Sequence, residues 1–188
     1  MGNFASSNLP ALQTVSSCET AKFMGTWFVI AVKPTIFEKA NSNAVEKYTL
    51  LEDANHDVDI DFTFNKKDPI TSPIQSLPQK GWVVGDKKRS GNWKVSPFPL
   101  VKMPYLILEV DETYDFCVIG YPSRDYAWIM CRKPVMSDDT YNTLTQKLVE
   151  KHQYNLSGMR KVPQRWTKEE RTKRGRTADE IPDEMLVG

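Results

Sequence analysis

A chain of 188 residues, 40% hydrophobic and 11% aromatic, with a formal net charge of +1, is sized for one domain with short extensions and carries no global field for nucleic acid. It holds no apolar run of about 18 residues, so no helical membrane span is expected. The first twenty residues have neither a basic n-region nor an apolar h-region, so the pattern of a secretory signal peptide is absent. The sparse, odd set of Cys18, Cys117 and Cys131 argues against a disulfide framework and for a reducing setting, in the cytoplasm or at the cytoplasmic face of a membrane.

Residues 1–21, mostly small and polar, read as a flexible arm. A strand from Thr26 to Val32 follows, ended by Pro34, with a loop through Asn43. Val45 to Leu51 and Asp57 to Phe64 form the next two strands. Between Asp57 and Phe64 the alternation is clean: Val58, Ile60, Phe62 and Phe64 on one face, Asp57, Asp59 and Asp61 on the other. That is a half-buried antiparallel strand with a wet outer side. Trp82–Val84, Trp93–Val95, Tyr105–Val110, Tyr114–Gly120 and Tyr126–Arg132 complete eight strands, joined mostly by short turn-like segments. The pattern predicts an all-β fold, an eight-stranded antiparallel up-and-down barrel without free edges.

The period then changes. Ser137 is a good N-cap, with Asp138 and Asp139 suited to a helix N-terminus. Tyr141, Leu144, Leu148 and Val149 share a face of a helix from Asp138 to His152 that should pack on the barrel wall. A short strand is expected within Leu156–Val162. Residues 22–164 thus form the barrel plus helix, and residues 165–188 a loose charged tail.

Gly25 and Trp27 open the first strand, and Arg132 lies in Trp128-Ile129-Met130-Cys131-Arg132-Lys133-Pro134 at the end of the last. Val110 to Gly120 carries Tyr114 at an aromatic position, and Pro122-Ser123-Arg124-Asp125-Tyr126-Ala127-Trp128-Ile129 joins the last two strands. Val95-Ser96-Pro97-Phe98 and Pro104-Tyr105 add two further runs. In this order and spacing the motifs resemble the lipocalin family, in the branch of bacterial outer-membrane lipocalins, plant temperature-induced lipocalins and apolipoprotein D. Many secreted members carry disulfides, and this chain departs from them.

The resemblance implies a closed barrel end built from Gly25, Trp27, Tyr114 and Arg132, with the guanidinium over the Trp27 ring. It implies an open end with a ligand cavity, for which Tyr105, Trp128, Ile107, Met130, Phe62 and Phe64 are the candidates. The implied function is non-enzymatic binding or transport of a hydrophobic small molecule such as a fatty acid or lysophospholipid. The alternatives are a lipocalin-fold enzyme acting on a carotenoid or lipid, with Glu109 and Asp111 as its carboxylates, or a structural subunit of a larger assembly. Strand parity would aim Glu109 inward; a bulge turning it outward is the preferred reading.

No cofactor or metal is expected. Asp57, Asp59 and Asp61 lack the Gly and Glu of a calcium loop, and His56 and His152 have no zinc-type spacing. No phosphate loop or nucleophile elbow occurs. Met1-Gly2-Asn3-Phe4-Ala5-Ser6 fits the acylation pattern for Gly2. One myristoyl chain anchors weakly, and basic residues between Arg160 and Arg176 offer a second attraction to anionic lipid, followed by the acidic Asp179, Glu180, Asp183 and Glu184. Oligomeric state stays open.

Overall fold

The computed structural model describes residues 9–35, 38–52 and 55–187. A single turn of helix, α1 (Thr20–Phe23), leads into β1 (Gly25–Lys33), β2 (Asn41–Leu50), β3 (Val58–Lys66), β4 (Ile74–Val83), β5 (Asn92–Phe98), β6 (Val101–Val110), β7 (Phe116–Gly120) and β8 (Ala127–Cys131). Each pairs antiparallel with the next, and β1 closes the ring by pairing with both β8 and β2. The result is a closed eight-stranded barrel. After α2 (Asp138–Glu150), the two-residue β9 (Arg160–Lys161) pairs with Ala31 and Val32 of β1, beyond the Gly25–Phe28 segment that pairs with β2. A last helix, α3 (Lys168–Lys173), precedes a 3-10 turn at Asp183–Met185.

Alternation in β3 follows the sequence: Val58, Ile60 and Phe62 are buried, Asp59 and Asp61 exposed. On α2 the Ser137 hydroxyl accepts from Thr140 N at 3.1 Å, satisfying one orphan helix donor. Leu144 and Leu148 are buried against Leu108, Val118 and Ile129 on the barrel's outer wall. Val149, expected on that face, is exposed, because the seam is narrow and it falls beyond its edge.

Three elements differ from expectation. β2 begins at Asn41, inside the expected loop, with a register shift between Ser42 and Val45. β4 runs the length of β3, although its sequence, Ile-Gln-Ser-Leu-Pro-Gln-Lys-Gly-Trp-Val, is polar and contains Pro78. Tyr114 sits in a turn at φ +62°, ahead of β7 rather than in it.

The described parts of the two extensions, residues 9–21 and 165–187, are packed. In the N-terminal segment Val15 N donates to Ile107 O at 3.0 Å, and Arg124 Nη2 donates to Pro10 O at 2.7 Å. At the other end Trp166 is 1% exposed and meets the Phe28 ring edge-on at 5.9 Å, and Ile181 is buried beside it. Phe28, Ile30 and Val45 form an outward apolar patch on β1 and β2 that residues 166–186 cover. Among the basic residues expected to seek lipid, Lys161, Arg165, Lys168 and Lys173 stay exposed, whereas three arginines turn inward: Arg171 pairs with Asp183 at 2.7 Å, and Arg174 pairs with Glu170 at 3.1 Å. Arg174 also lies 4.9 Å over the Trp166 ring, and Arg176 Nη1 donates to Thr26 Oγ1 at 2.8 Å.

Candidate functional site

One end of the barrel is filled. The Arg132 guanidinium carbon lies 3.7 Å over the Trp27 ring, a cation–π contact. Its nitrogens donate to the carbonyls of Thr26 (2.9 Å), Lys22 (2.8 Å) and Tyr114 (3.1 Å). Gly25 turns at φ +94°, with Arg132 Nη1 only 3.3 Å from where a Cβ would stand. The Tyr114 hydroxyl accepts from Glu19 N at 2.8 Å, tying the N-terminal segment to this end. Above Trp27 rises an aromatic column: Phe23 at 5.0 Å, then Trp93 and Tyr48 edge-on to Phe23 at 5.3 Å each, then Tyr105 stacked on Trp93 at 6.0 Å.

That column stops half-way, and a cavity of about 290 Å³ occupies the rest. Among the described residues its wall is mostly aromatic and aliphatic. Tyr105 of β6, Trp128 of β8, and Phe62 and Phe64 of β3 line it, with Leu77 of β4 and Met103 of β6. Ile107 and Met130 do not. Both are fully buried inside the barrel, one inward-facing step nearer the closed end, packed among Trp27, Trp93 and Phe23. Parity placed them on the correct face; the aromatic column left no space beside them. Tyr121 and Tyr126, from the β7–β8 connection, line the mouth. Their rings form a chain with Trp128, at 5.3 and 6.5 Å.

The polar lining was not anticipated. Glu46 of β2 is 7% exposed and faces the cavity. Tyr48 donates to its Oε2 in a short hydrogen bond, and the Tyr105 hydroxyl then donates to Tyr48 at 2.6 Å. Burial pushes the Glu46 carboxyl up to about 7, against the opposing Tyr48 hydrogen bond and with help from the charge of Glu38. Burial also holds both tyrosine hydroxyls well above their ordinary range. At the mouth Glu38 accepts from Trp128 Nε1 at 2.8 Å and from Thr35 Oγ1 at 2.8 Å. Asn41, 4% exposed, lines the same space with its Nδ2 unpartnered. The readable signal was Glu46 and Tyr48 sharing one strand face, a carboxylate at an inward position.

Glu109 points the other way. A register shift between Ile107 and Glu109 rotates it onto α2. There it meets Lys151 at 2.6 Å, His152 at 2.7 Å and Lys147 at 3.4 Å. Burial would raise its pKa, but the hydrogen bonds from Lys151 and His152 outweigh that and lower it. Asp111 accepts from Phe116 N at 2.7 Å in the β6–β7 turn. Neither lines the cavity, so the carboxylates an enzyme reading relied on lie outside it. Among the described residues no group of three His, Cys, Asp or Glu side chains could hold a metal ion. Gly2 lies outside the described residues.

The family model described as a lipocalin-like domain matches residues 18–164. The chain belongs to the lipocalin family. Lipocalins bind small hydrophobic ligands. A temperature-induced lipocalin from Arabidopsis thaliana is 30% identical over 158 residues, covering 81% of this chain and 83% of that one. The outer membrane lipoprotein Blc of Escherichia coli (strain K12) is 29% identical over 125 residues, covering 66% and 68%. Both are kinds of relative that the motifs predict. In three dimensions the chain is similar to insecticyanin of the tobacco hornworm Manduca sexta, with a TM-score of 0.64 at 15% identity, covering 86% and 87%. This likeness concerns the lipocalin fold alone. The match stops at Gln164, so the packed segment containing Trp166 and α3 lies beyond the family domain.

Proposed function

We propose that this lipocalin binds one lipid-like molecule in its cavity, with an apolar chain against Phe62, Phe64, Leu77 and Trp128, and carries it without transforming it. The observation that carries this reading is a cavity of about 290 Å³ walled largely by aromatic and aliphatic side chains above a closed floor. Its size suits a single chain rather than a two-chain lipid, since ligand pockets run from roughly 300 to 1,000 Å³. Burying eight methylenes would contribute about 6 kcal/mol before the cost of association. Three free thiols, Cys18 and Cys117 among them buried, support an intracellular setting.

The test is a fluorescence titration with the neutral apolar probe N-phenyl-1-naphthylamine, on the wild type and on Trp128→Ala. Saturable binding by the wild type, weakened at least tenfold by the substitution, is expected. Equal affinity for both proteins would remove the cavity assignment.

A further inference from the structure

We propose that the cavity selects an amphiphile whose head is a protonated amine, the nitrogen donating to Glu46 Oε1, and that it rejects carboxylate and phosphate heads. This rests on the reading of the cavity as the ligand site. The first ground is the sign of the lining. Among its described residues the formally charged side chains are Glu38 and Glu46, both acidic. The cation Arg160 of β9 is not in the lining; its Nη2 donates to the Glu38 and Asn41 carbonyls at 2.6 and 2.8 Å. An anionic head would enter a poorly hydrated space beside two carboxylates, with no cation in the described lining to receive it.

The second ground is unused hydrogen-bonding capacity. Tyr48 occupies Glu46 Oε2, while Oε1 accepts from no described residue. Asn41 Nδ2 is a buried donor with no partner in the same wall. A buried donor left unmade is costly, and a ligand oxygen beside the amine, such as a hydroxyl, would accept from it. The third ground is the aromatic mouth. The chained rings of Tyr121, Tyr126 and Trp128 favour passage of a cation over that of an anion. The raised carboxyl of Glu46 has the same origin: an acid buried without a cation, which an ammonium head supplies.

Three ligands of equal chain length separate the possibilities: decylamine, decanol and decanoate. Each displaces N-phenyl-1-naphthylamine from the protein at pH 8 in about 0.15 M salt, where exposed charges are screened. At that pH an alkylamine is protonated, as its ordinary pKa lies near that of lysine, about 10.4. Decylamine is expected to bind at least tenfold more tightly than decanoate, with decanol between them. In Glu46→Gln the gap between decylamine and decanoate should shrink to threefold or less. Decanoate binding as tightly as decylamine would overturn the head assignment while leaving the cavity reading intact. So would a gap that persists in Glu46→Gln. If none of the three displaces the probe, the cavity reading falls as well.

Discussion

Replacing Trp166 with Ala tests whether the segment after the family domain belongs to the cooperative fold. The indole is 1% exposed, packs on Phe28 and lies under the Arg174 guanidinium. Truncating a buried Trp to Ala costs about 3–5 kcal/mol in lost burial and cavity formation. Phe28 and Ile30 would be partly uncovered, and the Arg174 side chain, 2% exposed and paired with Glu170, would lose the ring beneath it. A net loss of about 4 kcal/mol in a chain of this length lowers Tm by about 8–16 °C. Thermal unfolding by circular dichroism measures it, with exposed Lys168→Ala as a control expected to shift Tm by less than about 1 °C. Limited trypsin digestion should also open sites at Arg165, Lys168 and Lys173 in the Trp166 variant first. A Tm fall below about 2 °C with unchanged digestion would refute the reasoning and return residues 165–187 to a loose tail.

Arg132→Met removes the cation–π cap on Trp27 and the guanidinium's four hydrogen bonds to carbonyls. It should cost at least about 2 kcal/mol in urea unfolding while leaving probe affinity within about twofold, because the cap lies at the far end from the cavity. Glu46 makes stability depend on pH. Its folded pKa of about 7 stands above the ordinary 4.5, so below pH 4.5 both states are protonated and nothing is lost. As pH rises from 4.5 to 7 the unfolded state releases its proton first, and above 7 the full penalty applies. Glu46→Gln, which keeps an acceptor for Tyr48, should therefore be stabilising at pH 8 relative to pH 4, by up to about 3 kcal/mol. Equal effects at the two pH values would contradict the burial of an isolated carboxyl.

Much of the barrel was legible because its strands obey simple rules. The β3 alternation of Val58, Ile60 and Phe62 with Asp59 and Asp61 reads directly as inside and outside. Gly25, Trp27 and Arg132 mark the closed end through their spacing. Other features depend on what lies opposite. β4 gives no apolar alternation because Pro78 and its polar neighbours sit on a largely exposed stretch, and pairing with β3 makes it a strand. The tail reads as disordered by charge, yet many of its charges pair with one another, and Trp166 and Ile181 suffice to dock it. A clue lay elsewhere: β1 buries six residues in succession, Trp27 to Val32, and a strand apolar on both faces needs a cover.

The cavity was half legible for a related reason. Parity tells which side chains point inward and not how far up the barrel each one sits. Tyr105 and Trp128 reach the open space, while Ile107 and Met130 lie below, where Phe23, Trp93 and Tyr48 fill the interior. Glu46 escaped notice because a carboxylate on an inward position looks like a break in the pattern. Its partner Tyr48 is held in turn by Tyr105 from across the barrel, an arrangement that emerges only when the sheet closes.

Native mass spectrometry of gently purified protein tests the central claim most directly. A one-to-one apolar adduct, released on activation and absent from Trp128→Ala, is the predicted result. Protein that is empty as isolated, and that stays empty after incubation with all three ten-carbon amphiphiles, would contradict a ligand-binding cavity.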